Sequence, residues 1–224
     1  MIGSVNTGGG AKAFAFIVVT YPAGSVCTCT DGTKTLRAKN TTGSWVFEIP
    51  YAGTWTVSCT DGTYTAEENV LISAKGQSES LLLRYILYLY KNGDKCVAVT
   101  GDYSTFNETY GGLAITYNPT NIMVKSTGGN GNLGTNIAIP FAGYSKLCIE
   151  ISNASMSSTT VTVGAWSSRT KYDFDIVSAT VSNGSKLYEI PISNLSQTNG
   201  FVGIRMVSSS GSATVTINNI YLLP

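Results

Sequence analysis

Apolar and polar residues alternate one by one along this chain, and they do so in short runs closed by Gly, Pro, Asn or Asp. In "GSWVFEIP", Trp45, Phe47 and Ile49 fall on one side and Glu48 on the other. In "GTWTVSCT", Trp55, Val57 and Cys59 oppose Thr54, Thr56 and Ser58. Successive side chains of an extended strand point to opposite faces, so a period of two calls for a sheet with one dry and one wet side. No capped stripe of helical period lasts beyond a turn or two. The chain is therefore expected to be all-β.

Further runs repeat the pattern, and the turns between them are legible as well. "AFAFIVVT", "SVCTCT", "TLRAK", "WVFEI", "TWTVSCT", "NVLIS" and "SLLLRY" give the first part strand spacings near those of a β-sandwich. The tetrad "TDGT" occurs at Thr30–Thr33 and again at Thr60–Thr63, each time just after a cysteine. Asp-Gly between alternating strands marks a reversal, because Gly tolerates positive φ and Asp accepts hydrogen bonds from the backbone ahead of it. The two tetrads are too far apart for one hairpin and their flanks differ, so they read as two turns and not as a solenoid repeat.

At "LLLRYILYLYKNGDKC" the character changes, with an apolar run leading into an Asn-Gly turn. A domain boundary with almost no linker is expected here, giving residues 1–85 and residues 86–224 as two units. The second has longer candidate strands, "GLAITYNP", "NIMVKS", "GTNIAIPF", "KLCIEISNA", "TVTVGAW", "DFDIVSATV", "KLYEIPI", "FVGIRMVSS" and "ATVTINNIYLL". That number is within reach of a jelly roll. The "NN" of "TINNIYLL" interrupts the alternation as a β-bulge would, and "TGGNGNLG" (127–134) reads as a flexible loop, lacking the Lys and the strand-to-helix setting of a phosphate loop.

Composition narrows the chemistry. The 224 residues contain no histidine, which removes the commonest general base and the commonest transition-metal ligand. Net charge is +1 with no basic cluster, so no nucleic-acid partner is expected. No apolar run approaches membrane-spanning length, and the opening "MIGSVNTGGGAKAFAFIVV" lacks a basic leader and cleavage site, so neither a membrane partner nor secretion is expected. Cys27, Cys29, Cys59, Cys96 and Cys148 are an odd, scattered set and no disulfide framework. Cys27, Cys29 and Cys59 are three thiols with no His to complete a zinc site; a buried thiol or an incidental disulfide is the better reading.

Aromatic residues are the informative class for binding. Tyr103, Phe106, Tyr110 and Tyr117 crowd one segment, and Tyr144, Trp166, Tyr172 and Phe174 follow. Rigid flat rings stack on sugar faces or on apolar partners, although each one is as readily core packing. In "VGAWSSRTKYDFD", Trp166 closes a strand beside a polar loop with Arg169, Tyr172 and Asp173, a sugar-site composition. Those four are the candidate glycan-binding residues. Asp173 and Asp175 share a strand face and cannot flank a glycosidic bond, so no catalytic residue is assigned. Structural Ca²⁺ on these Asp oxygens is more plausible than catalysis but is a minority reading without support, so no metal site or cofactor is assigned.

Residues 13–85, with "YPAGSVC", "GSWVFEIPYAGTWTV" and a late "GQ", resemble the small carboxypeptidase-regulatory-like, Ig-like or prealbumin-like sandwiches carried by virion and tail proteins of tailed phages. Residues 86–224, from "LYLYKNGDKC" to "ATVTINNIYLLP", resemble jelly-roll carbohydrate-binding modules. The resemblance implies a non-enzymatic virion protein of a tail, baseplate or surface fibre, homo-oligomeric, with other virion proteins and host-surface polysaccharide as partners. The alternative it leaves open is a pair of binding modules from a secreted bacterial glycan-degrading protein, located outside the cell or at its surface.

Overall fold

The computed structural model describes residues 13–21, 24–41, 44–92, 94–95, 106–168 and 174–224. It contains strands and no helix among them, so the all-β expectation holds. The chain divides into two compact units, Met1–Tyr85 and Ile86–Pro224. No helix among the described residues is long and apolar enough to cross a membrane.

The first unit opens with β1 (Ala15–Thr20), β2 (Val26–Thr30), β3 (Thr35–Leu36) and β4 (Lys39–Thr41). It continues with β5 (Ser44–Ile49), β6 (Gly53–Thr60), β7 (Thr65–Ile72) and β8 (Ser78–Leu82). These form two four-stranded sheets, β4-β5-β1-β8 and β3-β2-β6-β7. Ile17, Val19, Phe47 and Ile49 of the first meet Cys27, Cys29, Trp55, Val57 and Ile72 of the second in one buried cluster. That is the β-sandwich the alternation predicts. "TLRAK", expected as one strand, is cut in two: β3 pairs with β2 in one sheet and β4 with β5 in the other, so the chain changes sheets at Arg37–Ala38.

Both "TDGT" tetrads are the same turn. Asp31 Oδ1 accepts from the amides of Thr33 and Lys34 at 2.9 and 2.7 Å, and Asp61 Oδ1 from those of Thr63 and Tyr64 at 2.8 Å each. Gly32 and Gly62 take φ of 88° and 90°, the left-handed conformation for which glycine is suited. The first joins β2 to β3 and the second β6 to β7. Hydrogen bonds from Tyr51 and then from the turn amides hold the Asp31 carboxyl below its usual range; the amides of Tyr64 and Thr63 do the same for Asp61.

The second unit contains β9 (Leu87–Lys91), β10 (Asp94–Lys95), β11 (Phe106–Tyr117), β12 (Ile122–Thr135) and β13 (Ile139–Pro140). It closes with β14 (Lys146–Trp166), β15 (Val177–Thr180), β16 (Lys186–Pro191) and β17 (Asn199–Leu223). "KLCIEISNA" and "TVTVGAW" thus belong to one strand, β14, and "FVGIRMVSS" and "ATVTINNIYLL" to another, β17. The two long strands pair antiparallel along almost their whole length. β17 carries β12 and then β9 on its other edge; β14 carries β16 and β15.

A strict period of two over so long a ribbon could not keep one face inward as the sheet twists and bends. Inserted residues reset it. Asn218 is extra in β17 and Ser152 in β14, and Ser158 stands opposite residues 209–211. The buried set shifts in step: Ile220 and Leu222 give way to Ile217, Val215 and Ala213, and those to Met206, Ile204 and Val202. The two single-residue bulges face each other, and Ser152 Oγ donates to Asn218 Oδ1 at 2.9 Å. The break expected at "NN" is this bulge.

"TGGNGNLG", expected as a loop, lies inside β12. Gly128 and Gly129 take φ of 104° and 81° where residues 127–130 of β12 bulge opposite Gly112 of β11. The backbones there come so close that a methyl at Gly112 would collide with the Gly128 carbonyl. Glycines that make room for a neighbouring strand look the same in sequence as glycines that make a loop.

Candidate binding surfaces of the second unit

Trp166 ends β14 on the face of the sheet opposite the core residues Val163 and Ala165. It is only 6% exposed. Its six-membered ring covers Gly134 and Gly203, which stand in register with Gly164 across three neighbouring strands. A methyl added at Gly203 would sit 2.9 Å from Trp166 Cη2. Phe174 meets the indole edge-on at 5.2 Å and Phe201 stacks at 6.3 Å. Hemmed in this way, the indole offers no open face for a sugar to stack on. Asp175 Oδ1 and Oδ2 accept from the Ser167 amide and hydroxyl at 2.8 and 2.6 Å. Arg169, Tyr172 and Asp173, the other three candidates, lie outside the described residues, as do Cys96 and Tyr103. Tyr144 is buried in the core, and Tyr117 is exposed.

A different pair of rings is open. The register Glu189–Cys148–Tyr221–Tyr88 runs across β16, β14, β17 and β9, and the register Leu187–Glu150–Asn219–Lys91 runs beside it. Both rows belong to the outward side, because Leu147, Ile149, Ile220 and Leu222 between them point into the core. Tyr88 and Tyr221 are half-buried, with ring centroids 5.3 Å apart and planes tilted by 40°. The Lys91 ammonium stands 4.4 Å from the centre of the Tyr88 ring, a cation–π contact. Asn219 Nδ2 donates to Glu150 Oε2 at 2.5 Å, and Lys146 Nζ to Glu189 Oε1 at 2.9 Å.

Opposite charges balance on this ledge. Its four charged groups, Lys91, Lys146, Glu150 and Glu189, cancel. Burial, followed by Cys148 beneath it, pushes the Tyr221 phenol up to about 12, so it remains a neutral hydrogen-bond donor throughout the physiological range. Burial likewise raises the Cys148 thiol, which leaves it a poor nucleophile. Among the described residues no three His, Cys, Asp or Glu side chains gather as a metal-ligand group. The ledge can stack and hydrogen-bond; it presents no activated nucleophile.

The order of residues along the chain hides this ledge. "LYLYKN" looks like the apolar end of a domain. Its visible signal is the alternation of Leu87 and Leu89 with Tyr88, which puts one tyrosine outside. The second tyrosine lies at the far end of the chain, and only the pairing of β9 with β17 brings the two together.

No protein-family model and no curated protein sequence matches the chain. Among solved structures it is similar to a carbohydrate-binding module of family 29, at 14% identity and a TM-score of 0.39, covering 61% of this chain and 86% of that one. It is also similar to a family 11 carbohydrate-binding module from Clostridium thermocellum in complex with a β-1,3-1,4-mixed-linked tetrasaccharide. That match has 14% identity and a TM-score of 0.37, covering 62% of this chain and 95% of that one. The family 11 module of the cellulosomal cellulase Lic26A-Cel5E from the same organism matches at 19% identity and a TM-score of 0.32, covering 52% and 81%. The overlap is low in each case, and what this chain does has to be read from its own residues.

Proposed function

We propose that the chain is a non-catalytic glycan-binding protein whose second unit holds an uncharged polysaccharide on the Tyr88–Tyr221 ledge. The observation that supports this most is the half-exposed tyrosine pair, set beside an amide, two carboxylates and two ammonium groups whose charges cancel. The rings stack on the apolar faces of sugar rings, while Asn219, Glu150 and the Tyr221 phenol exchange hydrogen bonds with hydroxyls. Lys91 shields one face of Tyr88 and swings aside when a sugar takes its place.

The test is retardation of the purified chain in gels containing neutral polysaccharides, with Tyr88→Ala, Tyr221→Ala and Trp166→Ala alongside the wild type. Loss of roughly tenfold or more in affinity is expected for either tyrosine variant. An unretarded wild type, or tyrosine variants that bind as it does while Trp166→Ala does not, would overturn the assignment.

The setting we propose is the virion of a tailed phage, in a tail, baseplate or surface fibre, as a homo-oligomer among other virion proteins. Support for it comes from the resemblance of residues 13–85 to sandwiches of such proteins. Immunogold labelling of intact particles checks it.

A further inference from the structure

Three of the cysteines meet in the first unit, and the strand register decides which two can bond. Cys27 lies directly opposite Cys59 in the β2–β6 pair, with Cα atoms 4.2 Å apart, and the two sulfurs are joined. Cys29 lies opposite Val57, two residues along. A diagonal cross-strand pair stands about 7–8 Å apart, beyond the reach of a disulfide without backbone movement. Cys29 is a free, fully buried thiol, and burial, then the Asp31 carboxylate, pushes its pKa to about 12. So little thiolate forms there that it cannot attack the neighbouring bond. Both bonded sulfurs lie inside the sandwich, Cys27 being 3% exposed and Cys59 not at all. The bond spans 32 residues, a stretch that contains the change of sheet at Arg37–Ala38.

We infer that the first unit is a redox-locked clamp, closed by a bond that forms where thiols are oxidised. The bond forms by exchange with a disulfide of a protein oxidant or of oxidised glutathione. That disulfide is reduced to two thiols while Cys27 and Cys59 give up two protons and two electrons and become joined. Exchange requires access to sulfur, so it precedes closure of the two sheets, and the closed sandwich then shields the bond from reductants. Glycan binding plays no part in this inference, so neither stands or falls with the other.

The test uses the full chain secreted to an oxidising compartment. Peptide mapping without reduction is expected to recover Cys27 linked to Cys59, with Cys29 alkylated only after denaturation. In a soluble phosphine reductant under native conditions the link is expected to survive at least ten times longer than in the urea-unfolded chain. Once it is broken, hydrogen exchange should show first-unit melting lowered by more than about 10 °C and second-unit melting unmoved. The double variant Cys27→Ala/Cys59→Ala should reproduce that shift and Cys29→Ala should not. Recovery of Cys27 and Cys59 as thiols overturns the clamp, as does equal reduction in native and unfolded chain or unaltered melting after reduction.

Discussion

The two units solve one problem, a sheet with a dry face, by different means. The first uses strands of at most eight residues, and turns reverse the chain before the alternation drifts. Its small core is supplemented by a covalent bond between neighbouring strands, as small sandwiches often require. The second runs strands of 21 and 25 residues and keeps its ribbon face inward by inserting Asn218, Ser152 and the Ser158 crossing. Its larger core contains no disulfide among the described residues. Short strands leave register to the turns, whereas long strands need bulges to reset it.

That contrast can be broken from either side. The largest effect is expected from Trp55→Ala, which empties the centre of the first unit. It should destabilise that unit by about 3–5 kcal/mol, and hydrogen exchange of second-unit peptides should not change. A uniform loss across both units would mean that the two cores unfold together. Gly203→Ala probes the other side, because its methyl meets the Leu133 carbonyl and the Trp166 ring. A cost of about 1–3 kcal/mol confined to the second unit is expected in urea unfolding.

A sharper version pairs Gly134→Ala with Trp166→Leu. The double variant should recover part of the single variant's loss, since a methyl at 134 strikes the indole first and the Val202 carbonyl next. Additive losses would show that the ring is not what requires the glycine. The smallest effect is an acid limb that belongs to the first unit. The Asp31 and Asp61 carboxyls lie below their ordinary value when folded. Their contribution is therefore present above the unfolded pKa of about 3.9 and lost as pH falls through the lower folded values. Asp31→Asn/Asp61→Asn should flatten that decline below about pH 4 in thermal melts. An unchanged acid limb would assign it to other groups.

Much of the fold is legible in single residues. The Trp45–Ile49 and Trp55–Cys59 alternations appear as β5 and β6, the two Asp-Gly turns close the hairpins they promise, and the doubled asparagine is a bulge. What misled were features whose local form has two meanings. Glycines at 127–134 serve a kink within a paired strand, and a tryptophan beside a polar loop is roofed by Phe174 and Phe201. The ledge was illegible for another reason: Tyr88 and Tyr221 come from β9 and β17, near opposite ends of the second unit's sequence.

Sequence alone determined the all-β character, the turn chemistry and the absence of a histidine-based active site, because each depends on residue type or on neighbours a few positions away. Which cysteines bond, which strands fuse into one, and which aromatic rings face outward were decided only in three dimensions. Those outcomes depend on register between distant strands, and a shift of one residue there exchanges the inner and outer faces.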